Sequence, residues 1–202
     1  MSDNRPLTDI RPLDRRALLV TEEIVDRIRP DQLDLPTPCG EWRLRQLLGH
    51  LIGQNHGFAD AADGKHTDLT DWADRDFGDD PAGVFRASAA RVAESFAQEG
   101  VLDREFWLPE VRGGMSFAAP TAIGFHFVDY VVHGWDVAVS IGVPAPFAPE
   151  LLLAALPYAR QVPEGASRRV AGAPFGPGLP TDSADPLDQL LATLGRSPSW
   201  PN

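Results

Sequence analysis

Cysteine and lysine are almost missing from this sequence of 202 residues: Cys39 is its single cysteine and Lys65 its single lysine. One cysteine excludes a disulfide within the chain. Positive charge is scarce as well, because 18 Lys and Arg residues face 29 Asp and Glu residues, which gives a formal net charge of -11. A chain this acidic lacks the basic surface that binds nucleic acid or an anionic membrane, so we expect neither partner.

Long apolar runs are also lacking. No stretch of about 20 residues is free enough of polar side chains to span a bilayer. The segment from about residue 117 to 143 comes closest, but Asp129, His133 and Asp136 interrupt it. The first residues, Met-Ser-Asp-Asn-Arg-Pro, do not form the apolar core of a signal peptide. We therefore expect a soluble, cytoplasmic protein.

What the sequence does contain is helical periodicity. Apolar residues make up 43% of the chain, enough for one domain with a sizeable core, and they recur mostly at helical spacing. The pattern predicts four main helices, over about residues 14–28, 42–62, 81–99 and 117–141, and two shorter ones, over about 149–162 and 187–194. No convincing strand pattern is present. The predicted fold class is all-α: a four-helix bundle over residues 1–145, with short additional helices in a C-terminal extension, residues 146–202, packed on the same domain.

Local signals support parts of this assignment. An aspartate stands directly before a proline at residues 80–81 and again at 185–186, which is typical of a helix start: an N-cap acceptor, then proline at the first helical position. Between the second and third helices lies a polar, acidic loop, residues 65–80, that contains Trp72 and Phe77. Such aromatic side chains either close over a ligand or pack on the surface of the bundle.

The fourth helix carries a stripe of ionisable residues on an otherwise apolar surface. At about 100° per residue, the side chains of His126, Asp129, His133 and Asp136 fall within an arc of about 80°. Asp129 and His133 are four residues apart and stand one above the other, so that a carboxylate and an imidazole can hold one divalent metal ion. Burying unpaired carboxylates costs several kcal/mol or more. The stripe must therefore face water, its own members or a cation.

A further histidine, His50, lies among leucines on the second helix. Facing helices of a bundle bring such side chains to a shared site in the core. We therefore predict that His50, Asp129 and His133 bind one divalent metal, with zinc, nickel and iron(II) all compatible. Two histidines and one carboxylate leave coordination positions open, which is typical of catalytic sites. His56 and His66 fall outside this pattern, and we expect both to face solvent.

Four other residues have a structural and a functional interpretation. His126 is either a core residue, a further ligand or a donor to a ligand. Asp136 either orients an imidazole or an arginine, or forms a salt bridge to a neighbouring helix. Asn55 could line the mouth of the site. Cys39 precedes a helix start, where a thiol pKa can fall, but no free histidine–acid pair is left to activate it, so we expect it to pack in the core.

Three motifs resemble one family. They are Thr37-Pro38-Cys39-Gly40-Glu41-Trp42 followed by Leu47-Leu48-Gly49-His50-Leu51, then Asp129-Tyr130-Val131-Val132-His133-Gly134-Trp135-Asp136-Val137-Ala138, and the tail Pro186-Leu187-Asp188-Gln189-Leu190-Leu191 with Gly195-Arg196-Ser197-Pro198. They resemble the DinB-like metal-binding proteins, in particular the N-terminal, metal-binding domain of the mycothiol-dependent maleylpyruvate isomerase type, common in actinobacteria. The resemblance implies a DinB-like four-helix bundle whose metal ligands are His50, Asp129 and His133.

The resemblance also implies a class of chemistry. It points to a metal-dependent enzyme that uses a low-molecular-weight thiol such as mycothiol, as a thiol S-transferase or an isomerase acting on a small electrophile, and to a homodimer. The isomerase type has Glu at the position of Asp129 and a larger second domain, so its substrate does not carry over. A metal-dependent hydrolase and a non-catalytic metal- or ligand-binding stress-response module are the alternatives.

Overall fold

The computed structural model describes residues 9–111, 113–170 and 173–201. Its core is a bundle of four helices, α1 (Arg11–Val25), α2 (Leu44–Ala62), α3 (Pro81–Phe96) and α4 (Ala119–Ser140). Each helix packs against two others: α1 and α2 both contact α3 and α4. Two shorter helices follow, α5 (Pro149–Ala159) and α6 (Pro186–Thr193). The predicted all-α four-helix bundle with additional C-terminal helices is confirmed.

The C-terminal helices reach the bundle through α4. Helix α5 packs against α4, and α6 packs against α5. The division of the chain near residue 145 stays a prediction, and its first eight residues lie outside the described part of the chain. Within that part, no helix combines the length and the apolar character that a membrane crossing requires.

Both predicted aspartate–proline starts cap their helices. An Asp80 carboxylate oxygen accepts a hydrogen bond from the Gly83 backbone N–H at 2.9 Å, at the start of α3. An Asp185 carboxylate oxygen accepts from the Leu187 N–H at 2.7 Å, at the start of α6. Each side chain thereby satisfies a backbone donor that the first turn of a helix leaves free.

The expectation that the chain contains no strand is wrong at one place. Between α3 and α4, β1 (Glu105–Leu108) pairs antiparallel with β2 (Met115–Ala118). Each strand is only four residues long, too short for an alternating pattern to stand out from a loop. Gly113 and Gly114, just before β2, have φ angles of 81° and 107°, a backbone region open to glycine at little cost. The hairpin packs against α2 and α4.

The acidic loop after α2 packs tightly onto that helix. Trp72 is 2% exposed, and the Arg75 backbone N–H donates to the Gly49 carbonyl oxygen at 2.9 Å. A Cβ atom at Gly53 would lie 2.5 Å from the Ala73 carbonyl oxygen, and one at Gly57 would lie 2.3 Å from the Trp72 ring. The aromatic side chains of this loop therefore pack on the bundle, and the glycines of α2 make room for them.

Candidate metal centre

Helices α2 and α4 bring three side chains from distant parts of the sequence together. His50 projects from α2, and Asp129 and His133 project from adjacent turns of α4. His133 Nε2 lies 3.3 Å from Asp129 Oδ1, and His50 Nε2 lies 3.9 Å from Asp129 Oδ2. One potential ligand atom from each of the three residues lies within 4.8 Å of the others. The structure therefore places the three predicted ligands around a single point.

The same three side chains contain the unsatisfied polar atoms of the core. Over the described residues, the buried side-chain atoms without a hydrogen-bond partner are His50 Nε2, Asp129 Oδ2 and His133 Nε2. Buried polar atoms are normally paired, and each exception requires an explanation. Two imidazole nitrogens and one carboxylate oxygen form a donor set that zinc and related divalent metals bind. A metal ion would satisfy all three atoms at once.

The charges of the three side chains depend on one another. Burial opposes ionisation of Asp129, but His133 and His50 keep the pKa of this carboxyl below its usual value. Burial also works against a charged His133, yet Asp129 and Asp136 outweigh it and raise the pKa to about 9. For His50, burial dominates over the attraction of Asp129 and lowers the pKa to about 4. Without metal, the centre therefore contains an ionised Asp129 beside a protonated His133 and a neutral His50.

Aromatic rings and one acidic side chain surround the cluster. The Trp42 ring centroid lies 4.9 Å from that of His50 and 6.4 Å from that of His133. The Phe175 ring stacks on His133 at 5.5 Å. Asp74, from the acidic loop, places Oδ1 4.0 Å from His50 Nδ1. His133 is fully buried, whereas the side chains of His50 and Asp129 are 10% and 13% exposed, so water reaches the centre from the side of these two residues.

Behind His133, a second carboxylate contacts the ring. His133 Nδ1 donates to Asp136 Oδ2 at 2.8 Å, and Asp136 is completely buried. Arg196, which follows α6, donates to the same oxygen from Nη2 at 2.9 Å. Asp136 thus contacts both an imidazole and an arginine, and the arginine lies beyond the end of α6 instead of on a neighbouring helix.

His126 and Asn55 lie in a different polar cluster. His126 Nδ1 is 2.6 Å from Asp14 Oδ1 of α1, and its Nε2 is 3.3 Å from Asn55 Oδ1. Asn55 is fully buried and donates to the Ser88 hydroxyl at 2.9 Å. Both ring nitrogens of His126 are engaged there, and Asn55 does not line the mouth of the metal centre.

The remaining candidates have structural surroundings. Cys39 is 2% exposed, its Sγ donates to the Pro174 carbonyl oxygen at 3.3 Å, and burial raises the thiol pKa to about 12. This supports packing in the core over nucleophilic catalysis. His66 is exposed, as expected. The expectation for His56 is wrong, because it is half-buried and its Nδ1 lies 2.8 Å from Arg91 Nη1.

Four residues around the centre were not predicted from the sequence. Trp42 and Arg196 stand within the motifs that carry the family resemblance, so the motifs were a signal for them, although not for their roles. Asp74 and Phe175 lie in loops without periodicity. Nothing in the sequence indicates that one of these loops meets His50 and the other His133.

Comparison with known proteins identifies a matching family and similar sequences. Residues 15–138 match the family described as the mycothiol maleylpyruvate isomerase N-terminal domain. Two uncharacterized proteins, from two strains of Mycobacterium tuberculosis, are each 32% identical to this chain over 183 residues, which cover 86% of this chain and 90% of the relative.

Solved structures show a similar fold. A crystal structure of the mycothiol-dependent maleylpyruvate isomerase with a histidine-to-alanine substitution has a TM-score of 0.62 at 14% identity, covering 87% of this chain and 82% of that one. A second crystal structure of that isomerase has a TM-score of 0.59 at 14% identity, covering 78% and 69%. At this identity the likeness shows the fold alone.

Proposed function

This chain belongs to the mycothiol maleylpyruvate isomerase N-terminal domain family, and from that premise we propose that it is a metal-dependent enzyme that uses a low-molecular-weight thiol such as mycothiol. Its reaction is the transfer of the thiol to a small electrophile, or an isomerisation that the thiol assists. The metal ligands are His50, Asp129 and His133. Zinc suits the donor set best, and nickel and iron(II) also suit it.

One observation carries the metal proposal. The three unsatisfied buried atoms His50 Nε2, Asp129 Oδ2 and His133 Nε2 all face one another. The shorter side chain of Asp129, compared with the Glu of the isomerase type, is no obstacle, because it already reaches within 3.9 Å of His50 Nε2 and 3.3 Å of His133 Nε2. When bound, a divalent metal with an open position lowers the pKa of a thiol there and so supplies a thiolate near neutral pH.

The chain's own residues prepare this site. Asp136 accepts a hydrogen bond from His133 Nδ1, so that a neutral His133 keeps its proton on Nδ1 and directs the Nε2 lone pair at the metal position. Asp129 supplies the one negative charge among the ligands. The rings of Trp42 and Phe175 pack on His133 and help to keep water away from its fully buried side, which strengthens electrostatic interactions there.

Elemental analysis of the purified protein tests the metal proposal. The wild type and a His133→Ala variant are prepared without a metal-affinity tag, together with His66→Ala as a control, because His66 is an exposed histidine of the acidic loop. We expect about one zinc, nickel or iron per chain in the wild type and the control, and none in His133→Ala. A wild-type protein that is metal-free and takes up neither zinc nor nickel would show the proposal to be wrong.

Activity assays then separate the reaction classes. The metal-loaded protein is offered small electrophiles with and without added thiol. Turnover that requires the thiol supports a transferase or isomerase. Turnover with water alone supports a metal-dependent hydrolase, and a loaded protein that turns over no electrophile or ester supports a non-catalytic binding module. The homodimer and the cytoplasmic location stay predictions from the sequence.

A further inference from the structure

Arg196 connects the end of the chain to the proposed metal centre. It follows α6 and is 2% exposed. Its Nη2 donates to Asp136 Oδ2 at 2.9 Å, and its Nε lies 3.3 Å from both carboxylate oxygens. Its remaining hydrogen bonds go to the carbonyl oxygens of Pro174, at 2.7 Å, and Leu194, at 2.9 Å. One guanidinium therefore binds α4, the loop before α6 and the end of α6 together.

The contact continues from Asp136 to a metal ligand. Asp136 Oδ2 accepts from His133 Nδ1 at 2.8 Å, and an ionised carboxylate can only accept. In the neutral His133 that binds a metal, the pair therefore requires the tautomer in which Nδ1 carries the proton and Nε2 offers its lone pair. His133 Nε2 is one of the three unsatisfied atoms of the centre.

The loop before α6, which contains Pro174, also fixes the plane of the His133 imidazole. The Phe175 ring stacks on His133 with an angle of 8° between the ring planes, and the Arg196 guanidinium carbon lies 5.3 Å from the Phe175 ring centroid. The tautomer and direction of the imidazole thus depend on Asp136, which Arg196 holds, and its plane on the loop that Arg196 attaches to α4.

We propose that Arg196 is a positioning residue for the metal centre, acting through the Asp136 carboxylate to hold His133 in the orientation and tautomer that bind metal. This inference rests on the proposed function, since it requires that the centre binds a metal. It extends that function by making the C-terminal segment part of the metal site, although the three ligands lie on α2 and α4. Replacing a hydrogen-bond partner of a metal-bound histidine, here Asp136, typically changes metal affinity by about 10- to 100-fold, and we expect the loss of Arg196, which acts through Asp136, to fall in this range.

A second buried arginine provides a matched control. Arg168 is 5% exposed and holds the same C-terminal region, because its guanidinium donates to the carbonyl oxygens of Thr193 at 2.7 Å, Gly176 at 3.2 Å and Val162 at 2.7 Å. Its hydrogen bonds go to backbone carbonyls and its ion pair to Glu164. Loss of Arg168 therefore loosens the C-terminal region without removing a partner of Asp136.

The test compares Arg196→Gln with Arg168→Gln. The zinc dissociation constant of each is measured by competition with a chromophoric chelator, and the stability of the metal-free proteins by urea unfolding. We expect both variants to unfold at lower urea, but only Arg196→Gln to bind zinc about 10- to 100-fold more weakly than wild type. Equal zinc affinities of the two variants would overturn the inference while leaving the proposed function intact. A wild type that takes up no zinc would overturn both.

A double-mutant cycle shows whether Arg196 acts through Asp136. In an Asp136→Asn background, the Arg196→Gln change should weaken zinc binding by less than threefold, because the carboxylate that transmits its effect is already gone. Independent, additive losses would contradict the inference. If Arg196→Gln does not fold, Arg196→Lys replaces it in both experiments. It retains a charge near Asp136 without the planar fork, and we expect an affinity between those of wild type and Asp136→Asn.

Discussion

His133 must lose a proton before it can bind a metal, so metal affinity should depend on pH. In the metal-free protein, burial opposes its protonation but Asp129 and Asp136 prevail and raise its pKa to about 9. His50, with a pKa of about 4, offers no such competition near neutral pH. Below about pH 9 the zinc dissociation constant should therefore rise about tenfold for each unit by which the pH falls.

Competition titrations at about pH 6, 7 and 8 and constant ionic strength measure this dependence. A slope near one proton per metal is expected over the whole range, because the protonated form of His133 predominates throughout it. An affinity that stays the same between these pH values would contradict the proposed ligand role of His133.

Cys39 should be chemically inert in the folded protein. Burial raises its thiol pKa to about 12, against the opposing effect of the nearby Arg196, and only 2% of the residue is exposed. Because the thiolate is the reactive form, labelling by a disulfide reagent should be at least roughly 100-fold slower in the native protein than in urea. Rapid labelling of the native protein, measured by released chromophore, would show that Cys39 is accessible and that its assignment to the core is wrong.

Parts of the candidate site could be predicted because the evidence for them is local. Asp129 and His133 share a face by helix geometry alone, and His50 stands out as an ionisable residue on an apolar helix. His126 lies on the same arc, but about 10 Å before His133 along the axis of α4, where α1 provides Asp14 as its partner. The angular positions of side chains on one helix do not show which neighbouring helix each of its turns contacts.

At the scale of secondary structure, the contact between α2 and the acidic loop predicts that a glycine-to-alanine substitution within α2 destabilises the protein. Alanine normally stabilises a helix relative to glycine by up to about 1 kcal/mol. At Gly57, however, the added Cβ would lie 2.3 Å from the Trp72 ring, and overpacking of this kind costs about 1–3 kcal/mol. We therefore expect Gly57→Ala to lower the free energy of unfolding, as measured by urea denaturation of the metal-free protein.

The same substitution in a Trp72→Leu background is the control. Removing the indole relieves the clash, so Gly57→Ala should then have little effect or stabilise the helix. A stabilising effect of Gly57→Ala in the wild-type background would show that the loop does not pack on α2 as closely as described.

Element boundaries followed the sequence where one or two residues determine them. The Asp80 and Asp185 caps placed the starts of α3 and α6, since capping needs only the side chain and the next two or three residues. The hairpin of β1 and β2 was not predicted, because the interactions that stabilise it are not local. Its four-residue strands are stabilised by packing against α2 and α4, which no local pattern records.

At the scale of the whole molecule, the bundle was predictable because helical periodicity and helix breakers recur over nearly the full chain. The contacts that attach the C-terminal segment to the bundle were not predictable. Arg196 and Asp136 are 60 residues apart, and the loop that carries Phe175 has no periodicity to place it. The sequence therefore predicted a metal site within the bundle, whereas in the structure the C-terminal segment completes its surroundings.

Metal binding should stabilise the whole fold, because the three proposed ligands lie on α2 and α4, which contact each other, and α2 also packs against α3 and α4 against α1. At a free zinc concentration about 100 times the dissociation constant, the gain is about 2.7 kcal/mol. For a chain of this size each kcal/mol raises the melting temperature by about 2–4 °C, so we expect a rise of about 5–11 °C in a thermal unfolding experiment. Magnesium should have little effect, because it prefers oxygen ligands. His66→Ala should respond to zinc as the wild type does and His133→Ala should not. An equal rise in His133→Ala would mean that zinc binds elsewhere on this acidic protein, whose formal net charge is -11.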